Sequence, residues 1–479
     1  VGQTFLSALS FSTFEKTLEI TLMAQSNSRR TFLKTAAVAA AATQLIVPKG
    51  VRAAGSEVVK FGLIGCGGRG TGAGGQALSA NPSNHLTAIG DLWPEPIDRA
   101  LASYTKQHPE QIKVTPDTRF TGLDAFKKVI DSGVDVVLLT TPPAFRWIHF
   151  QYAVEKNKHV FAEKPLCVDA AGYRAVSKTI EESKRKNLGF VDGFCWRYSI
   201  GERATFPKIH QGEIGDILSI YSHYNANQLW MKPRQPNWSD TEWQLRNWLY
   251  FTWLSGDHIV EQAVHTIDKV AWAMKDEMPA RAWATGGRQQ RVDPAFGHIW
   301  DHFAVVYEWA NGTRAHVYCR QQDQVSTGVN DHIIGTKGVC DIKSNFSPKN
   351  GGPDYVIRQH GDNGPGWRLT NVPKDFPNAY QVEHDELFAS IRDGKPINAG
   401  QRVPNSAMMA ILGRMAGYSG DVITWDEAIN STEDNFPKNL DMSAPMAVAP
   451  VAVPGKTELP WIMDLKKARQ EKNAVKRAD

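Results

Sequence analysis

Cysteine is scarce in this 479-residue chain: Cys66, Cys167, Cys195, Cys319 and Cys340 are odd in number and far apart. No C-x-x-C pair and no zinc-type spacing occurs, which excludes a disulfide framework and leaves buried thiols as the expected state. An excess of one charge is also missing. The formal net charge of +4 is small and scattered, so nothing in the composition argues for nucleic-acid or membrane binding. The alanine-rich stretch from Thr35 to Val47 is too short and too weakly apolar for a stable membrane span. No internal repeat is present. At ordinary domain sizes the length predicts two or three domains with ample core.

What is present begins with an address. Ser28-Arg29-Arg30-Thr31-Phe32-Leu33-Lys34 is a twin-arginine export motif, followed by that alanine-rich stretch and by small residues at Val51-Arg52-Ala53-Ala54 suited to cleavage. Met23 offers a start for this signal, and the mature protein is expected to begin near Ala54, in the periplasm or outside the cell. Proteins exported by this route fold before crossing, and no pool of free NAD awaits them. A nicotinamide enzyme there must hold its cofactor through many turnovers.

The run from Val58 to Ile64 reads as a strand that ends in Gly65-Cys66-Gly67-Gly68-Arg69-Gly70, a G-x-G-x-x-G dinucleotide fingerprint. Gly65 permits the tight turn, Gly67 lets the backbone approach a pyrophosphate, and Gly70 lets the following helix pack close to the strand. His85–Asp91 reads as a second strand ending in the acid expected to meet a ribose 2′-hydroxyl. Asp91 would repel a 2′-phosphate, which favours NAD over NADP. Val134–Thr140 is a nearly continuous apolar strand, as buried parallel strands are. It ends in Thr141-Pro142-Pro143 at the sheet edge where ligands of open α/β folds bind. A helix carrying His149 follows, and the strand His159–Ala162 runs into Glu163-Lys164-Pro165.

With the downstream Glu261, His265 and Asp268, these pieces make the chain resemble the glucose–fructose oxidoreductase/inositol dehydrogenase (Gfo/Idh/MocA) family from about Val58 to the mid-400s. The resemblance implies an α/β protein. Its N-terminal Rossmann domain has a doubly wound parallel sheet, and its C-terminal α/β domain has a large open mixed, mainly antiparallel sheet that often forms oligomer contacts. It implies Gly65, Gly67, Gly68, Arg69, Gly70, Asp91, Thr141, Pro142, His149, Glu163, Lys164 and Arg197 as cofactor-binding residues. It also implies that Lys164 hydrogen-bonds the reacting hydroxyl, a role suited to a compact cation. A salt bridge at the domain junction is an equal reading for Arg197.

Between residues 225 and 253 lie Trp230, Trp238, Trp243, Trp248 and Trp253, interleaved with Asn, Gln and Arg. Flat apolar faces beside amide and guanidinium forks suit a carbohydrate; core or interface packing is the plainer reading of any single tryptophan. Trp248 is the candidate substrate contact here. From Gly256 to Asp268 one helix is expected, with His258, Glu261, His265 and Asp268 on a single face. Either His265 is a general base tuned by a neighbouring carboxylate, with His258 and Asp268 toward the substrate, or the stripe holds a divalent metal. The resemblance favours the base and no metal. Glu261 stands where the family usually has aspartate, and Gly256-Asp257 where it has a glycine pair.

The expected domains are a signal region at 1–54, an NAD-binding domain at 55–190, a substrate and oligomerisation domain at 191–440, and a linker and charged tail at 441–479. The expected activity is oxidation of a sugar, glycoside or polyol hydroxyl, with Lys164, His265 and Glu261 catalytic and hydride passing to tightly held NAD. Oxidation, elimination, water addition and reduction in one site, as in NAD-dependent glycosidases, is the rival. Non-catalytic sugar binding and metal-assisted lyase chemistry stand behind them. A homo-oligomer, dimer or tetramer, is expected.

Overall fold

In the computed structural model, residues 58–344, 353–370 and 378–478 are described. The twin-arginine motif and the cleavage region lie outside them. The described residues form one compact unit.

Six parallel strands form the first sheet: β1 (Val59–Ile64), β2 (Asn84–Asp91), β3 (Arg119–Thr121), β4 (Val136–Leu139), β5 (His159–Ala162) and β6 (Phe190–Asp192). Their order, β3-β2-β1-β4-β5-β6, reverses direction between β1 and β4. Every residue of β4, β5 and β6 is buried, as continuous apolar strands covered on both faces must be. Helices Gly68–Ala80, Pro94–Gln107, Ala125–Asp131, Pro143–Glu155 and Ala170–Arg185 alternate with the strands.

The second sheet has nine strands: β7 (Ile217–Ala226), β8 (Arg281–Gly287), β9 (His302–Glu308), β10 (Arg314–Gln321), β11 (Gly328–Gly335), β12 (Gly338–Lys343), β13 (Asp354–Gln359), β14 (Trp367–Arg368) and β15 (Ile423–Thr424). Their order is β14-β13-β12-β11-β7-β10-β9-β8-β15. Only β7 and β10 pair in parallel; the other pairings are antiparallel. Asn311-Gly312, read as a hairpin signal, joins β9 to β10, with Gly312 at φ 86°. Helices Val264–Ala273 and Arg402–Ser419 cover one face with apolar side chains. The other face leaves Leu218, Tyr221 and Tyr318 exposed. All five cysteines are buried and unpaired.

The C-terminal part returns to the first sheet. Phe190 in β6 exchanges backbone hydrogen bonds with Ile397 and Ala399, and helix Ala379–Arg392 contributes Phe388 to the core beneath β1. The charged tail ends as helix Pro460–Ala478.

The turn after β1 depends on two glycines. Gly65 sits at φ +94°, a conformation that side chains oppose. A Cβ on Gly70 would stand 1.9 Å from the Gly65 carbonyl oxygen. Backbone cannot yield as a side chain can, so Gly70→Ala is expected to lower the unfolding free energy by about 3 kcal/mol, the upper end for overpacking. Urea denaturation measures it, and unchanged stability would mean that the helix simply shifts away.

Candidate active site

A cavity of about 980 Å³ opens at the carboxyl edge of the parallel sheet, lined by the glycine loop and Asp91, by Lys164 and His265, and by a segment running from Leu229 to Leu249. The cavity is long. Asp91 ends β2 and Lys164 follows β5, and β1 and β4 lie between them. Three strand spacings place these ends about 14 Å apart.

At the Asp91 end the residues present fit a dinucleotide. Cβ atoms on Gly67 or Gly68 would meet nothing within 4 Å, so the backbone there faces open space. Helix Gly68–Ala80 has no side-chain cap, which leaves first-turn N–H groups for an anion. Asp91 is anchored by backbone N–H groups of Cys66 at 2.7 Å and Trp93 at 3.2 Å.

At the other end Lys164 is held on both sides. Its Nζ donates to the Glu261 carbonyl oxygen at 2.5 Å and lies 3.4 Å from Glu261 Oε1. The buried Arg146 guanidinium donates to the carbonyls of Lys164 (2.5 Å) and Pro165 (3.0 Å), fixing the turn; the Lys164–Pro165 bond is cis. Glu163 accepts from Arg69 Nε and from the Lys164 backbone N–H. His149 stacks on Phe126 at 4.1 Å and lies 3.4 Å from the Thr141 hydroxyl. Burial, and then the charge of Arg146, pulls its pKa down to about 3, so it is neutral.

His265 lines the cavity, and its Nδ1 is buried without a hydrogen-bond partner. Burial first, then the charges of Lys164, Lys269 and Arg69, holds the imidazole well below the ordinary histidine range. The carboxylate expected to tune His265 is turned to Lys164 instead.

Three expected site residues are elsewhere. The anticipated single helix is two, His258–Glu261 and Val264–Ala273, broken at Gln262-Ala263. The break ends the common face, because helical spacing holds only through continuous helix. His258 packs against Phe303 at 5.2 Å, buried away from the cavity. Asp268 accepts from Arg197 Nε (2.8 Å), Arg197 Nη2 (2.9 Å) and the Ser406 hydroxyl (2.7 Å). Arg197, expected at the cofactor, is in that buried ion pair and also bonds Asp276, as the salt-bridge reading had it. The metal alternative loses its stripe, and no cluster of metal-ligand type occurs among the described residues.

The tryptophans divide. Trp230, Trp238 and Trp248 line the cavity; Trp243 is core, and Trp253 donates to Gln244. Sequence reasoning missed Arg146, Tyr224, Lys232 and Trp93. Trp93 had a signal, two residues past the expected ribose carboxylate. Arg146 had none, since its role is to cap carbonyls of a distant turn.

A doubly wound sheet with a glycine cradle at its switch point, joined to a lysine and a neutral histidine in one cavity, defines a nicotinamide-dinucleotide-dependent oxidoreductase. Comparison with known proteins gives the same class. Residues 59–189 match the oxidoreductase family with an NAD-binding Rossmann fold, and residues 208–341 match the GFO/IDH/MocA C-terminal domain. The chain belongs to the Gfo/Idh/MocA family. Residues 26–45 match the twin-arginine translocation signal, and no helix among the described residues is long and apolar enough to cross a membrane.

The chain is 26% identical over 291 residues to inositol 2-dehydrogenase of Serratia proteamaculans (59% of this chain, 75% of that protein). It is 23% identical over 337 residues to that of Burkholderia cenocepacia (70% and 87%). Similar folds occur in aldose-aldose oxidoreductase from Caulobacter crescentus complexed with glycerol (TM-score 0.59, 17% identity, 77% of this chain and 100% of that one). Levoglucosan dehydrogenase in complex with NADH and levoglucosan is equally similar (TM-score 0.59, 17% identity, 77% and 99%).

The Arg197–Asp268 pair makes a structural prediction. Asp268→Ala would leave a buried guanidinium short of its bidentate partner, an expected loss of about 3–5 kcal/mol in unfolding free energy. Urea denaturation checks it; a loss below about 1 kcal/mol would mean that Asp276 alone suffices.

Proposed function

We propose that the protein oxidises a secondary hydroxyl of a sugar, glycoside or polyol, outside the cytoplasm, with NAD retained in the cavity. The observation that carries the reading is the convergence of Lys164, Glu261 and His265 at the far end of the cavity from the glycine cradle. NAD, when bound, would supply the acceptor for the hydride, and a second carbonyl substrate would take that hydride so that the retained cofactor can turn over.

The chain's own residues handle the proton. His265, kept neutral, takes the hydroxyl proton on Nε2. Lys164 donates a hydrogen bond to the same oxygen and stabilises negative charge developing there. Glu261 and Arg146 hold Lys164 in place. The Leu229–Leu249 segment roofs the cavity, with Trp248 offering an apolar face to the substrate. Asp91 supports NAD over NADP, because a 2′-phosphate would meet a carboxylate. The inositol dehydrogenases among the relatives support the substrate class. The exposed aromatic residues of the open sheet face support a dimer or tetramer.

The export signal also supports a redox-neutral version. There the oxidised sugar loses its glycosidic substituent by elimination, takes up water and is reduced again in the same site.

His265→Ala or Lys164→Ala is expected to lower turnover at least about 100-fold, the usual scale for acid–base catalysis. The depressed His265 pKa sets the sign of the pH dependence. The base stays unprotonated until pH falls below the ordinary histidine range, so the acidic limb of kcat/KM should lie there. Near-ultraviolet absorbance of reduced nicotinamide, followed while sugars and then glycosides are added, reads the reaction. A persistent rise means net oxidation; sugar release without a lasting rise means the redox-neutral version. Near-wild-type turnover in either variant sinks the assignment.

A further inference from the structure

The Leu229–Leu249 segment is firmly held by the second half of the protein. The Tyr250 hydroxyl donates to the carbonyls of Leu229 and Trp230, at 3.0 Å each. The buried Asn247 side chain exchanges two hydrogen bonds with the Lys232 backbone, at 2.8 and 3.0 Å. Ser239, Thr241 and Gln244 donate to the carbonyls of Met442, Ala444 and Met446. The linker expected at 441–479 thus braces the roof from behind.

Its tie to the Rossmann part adds a cation–π contact to the apolar packing of Leu245 and Leu249 in one cluster with Ala144. The guanidinium of Arg246 lies 4.1 Å over the ring of Trp93 and 4.9 Å over that of Trp238. Trp93 belongs to the loop after β2, and its backbone N–H donates to Asp91 at 3.2 Å. Glu242 accepts from Arg246 Nε at 2.7 Å and keeps the guanidinium oriented. Trp93, Trp238 and Arg246 all line the cavity at its Asp91 end. A planar cation between two indoles is a contact that forms and releases without breaking any covalent or ladder bond, and it gains strength as water is excluded.

We propose that Arg246, clasped between Trp93 and Trp238, closes the roof over the adenosine half of the cavity and sets how long the nicotinamide dinucleotide is retained. This rests on the reading that the cavity holds its cofactor through turnover. The three residues are retention residues, remote from the reacting atoms. They act on the exchange of cofactor and leave the Lys164–His265 chemistry alone. The clasp belongs to this chain's roof segment, which gives the fold a means of working where free NAD is absent.

The test measures cofactor release directly. Exported full-length protein, wild type and the variants Arg246→Ala and Trp93→Leu, is loaded with NAD⁺ and freed of excess. Bound nicotinamide is then followed over time after dilution. Trp93→Leu changes the Rossmann side only and leaves the roof's own hydrogen bonds in place, which separates release of the clasp from collapse of the segment. Release at least about tenfold faster is expected in Arg246→Ala, which loses both contacts, and at least about threefold faster in Trp93→Leu, which loses one, with the apo protein's Tm unchanged. Release at the wild-type rate in Trp93→Leu overturns the proposal. A wild type that takes up no nicotinamide overturns the oxidoreductase reading, and the clasp with it.

Discussion

The contact between Lys164 and Glu261 is the one on which the site depends. Lys164 follows the last residues of a parallel strand, and Glu261 ends a short helix of the second half. The ammonium meets both the backbone carbonyl and the carboxylate of Glu261, so it fixes main chain as well as side chain. Arg146 secures the other side by capping the carbonyls of Lys164 and Pro165. A cation that is 10% exposed cannot be left without a counter-charge. The same need joins the two sheets' supporting elements and places a positive group at the cavity floor.

Much of this was legible in the chain. The Gly65–Gly70 loop, the apolar strands and Asp91 are local signals, each with a mechanism tied to a few consecutive residues, and the fold follows them. The helix carrying His265 was harder. Apolar spacing through Ile259, Val260, Val264 and Ile267 fits continuous helix, yet the chain breaks at Gln262-Ala263. Periodicity cannot register such a break, because tertiary contacts decide it. Asp257, at φ 75°, accepts from Trp300 N–H and the Tyr418 hydroxyl, partners that are 43 and 161 residues away. That anchor sets the direction of the first short helix independently of the second.

The ion pairs show the same limit. Arg197, Asp268 and Asp276 are charges whose types fit a site and whose positions make an ion-pair cluster, with Arg197 and Asp268 buried and Asp276 half-buried. Nothing local separates the two cases. What separates them is whether a carboxylate from another element fills the guanidinium's fork, and in this protein Asp268 fills it with two bonds below 3 Å.

His265 shows why the site needs its cations arranged as they are. Lys164, Lys269 and Arg69 all press its pKa downward, yet each is itself paired, with Glu261, Asp331 and Glu163. Burial is the larger cause of that depression, and the three cations add to it. Its Nδ1 has no carboxylate behind it to stabilise an imidazolium. A proton accepted by this ring is therefore held at a cost, and it leaves readily once the substrate oxygen has lost its claim to it. A base of this kind is suited to a proton that must move on, to solvent after net oxidation or back to the substrate oxygen in the redox-neutral version.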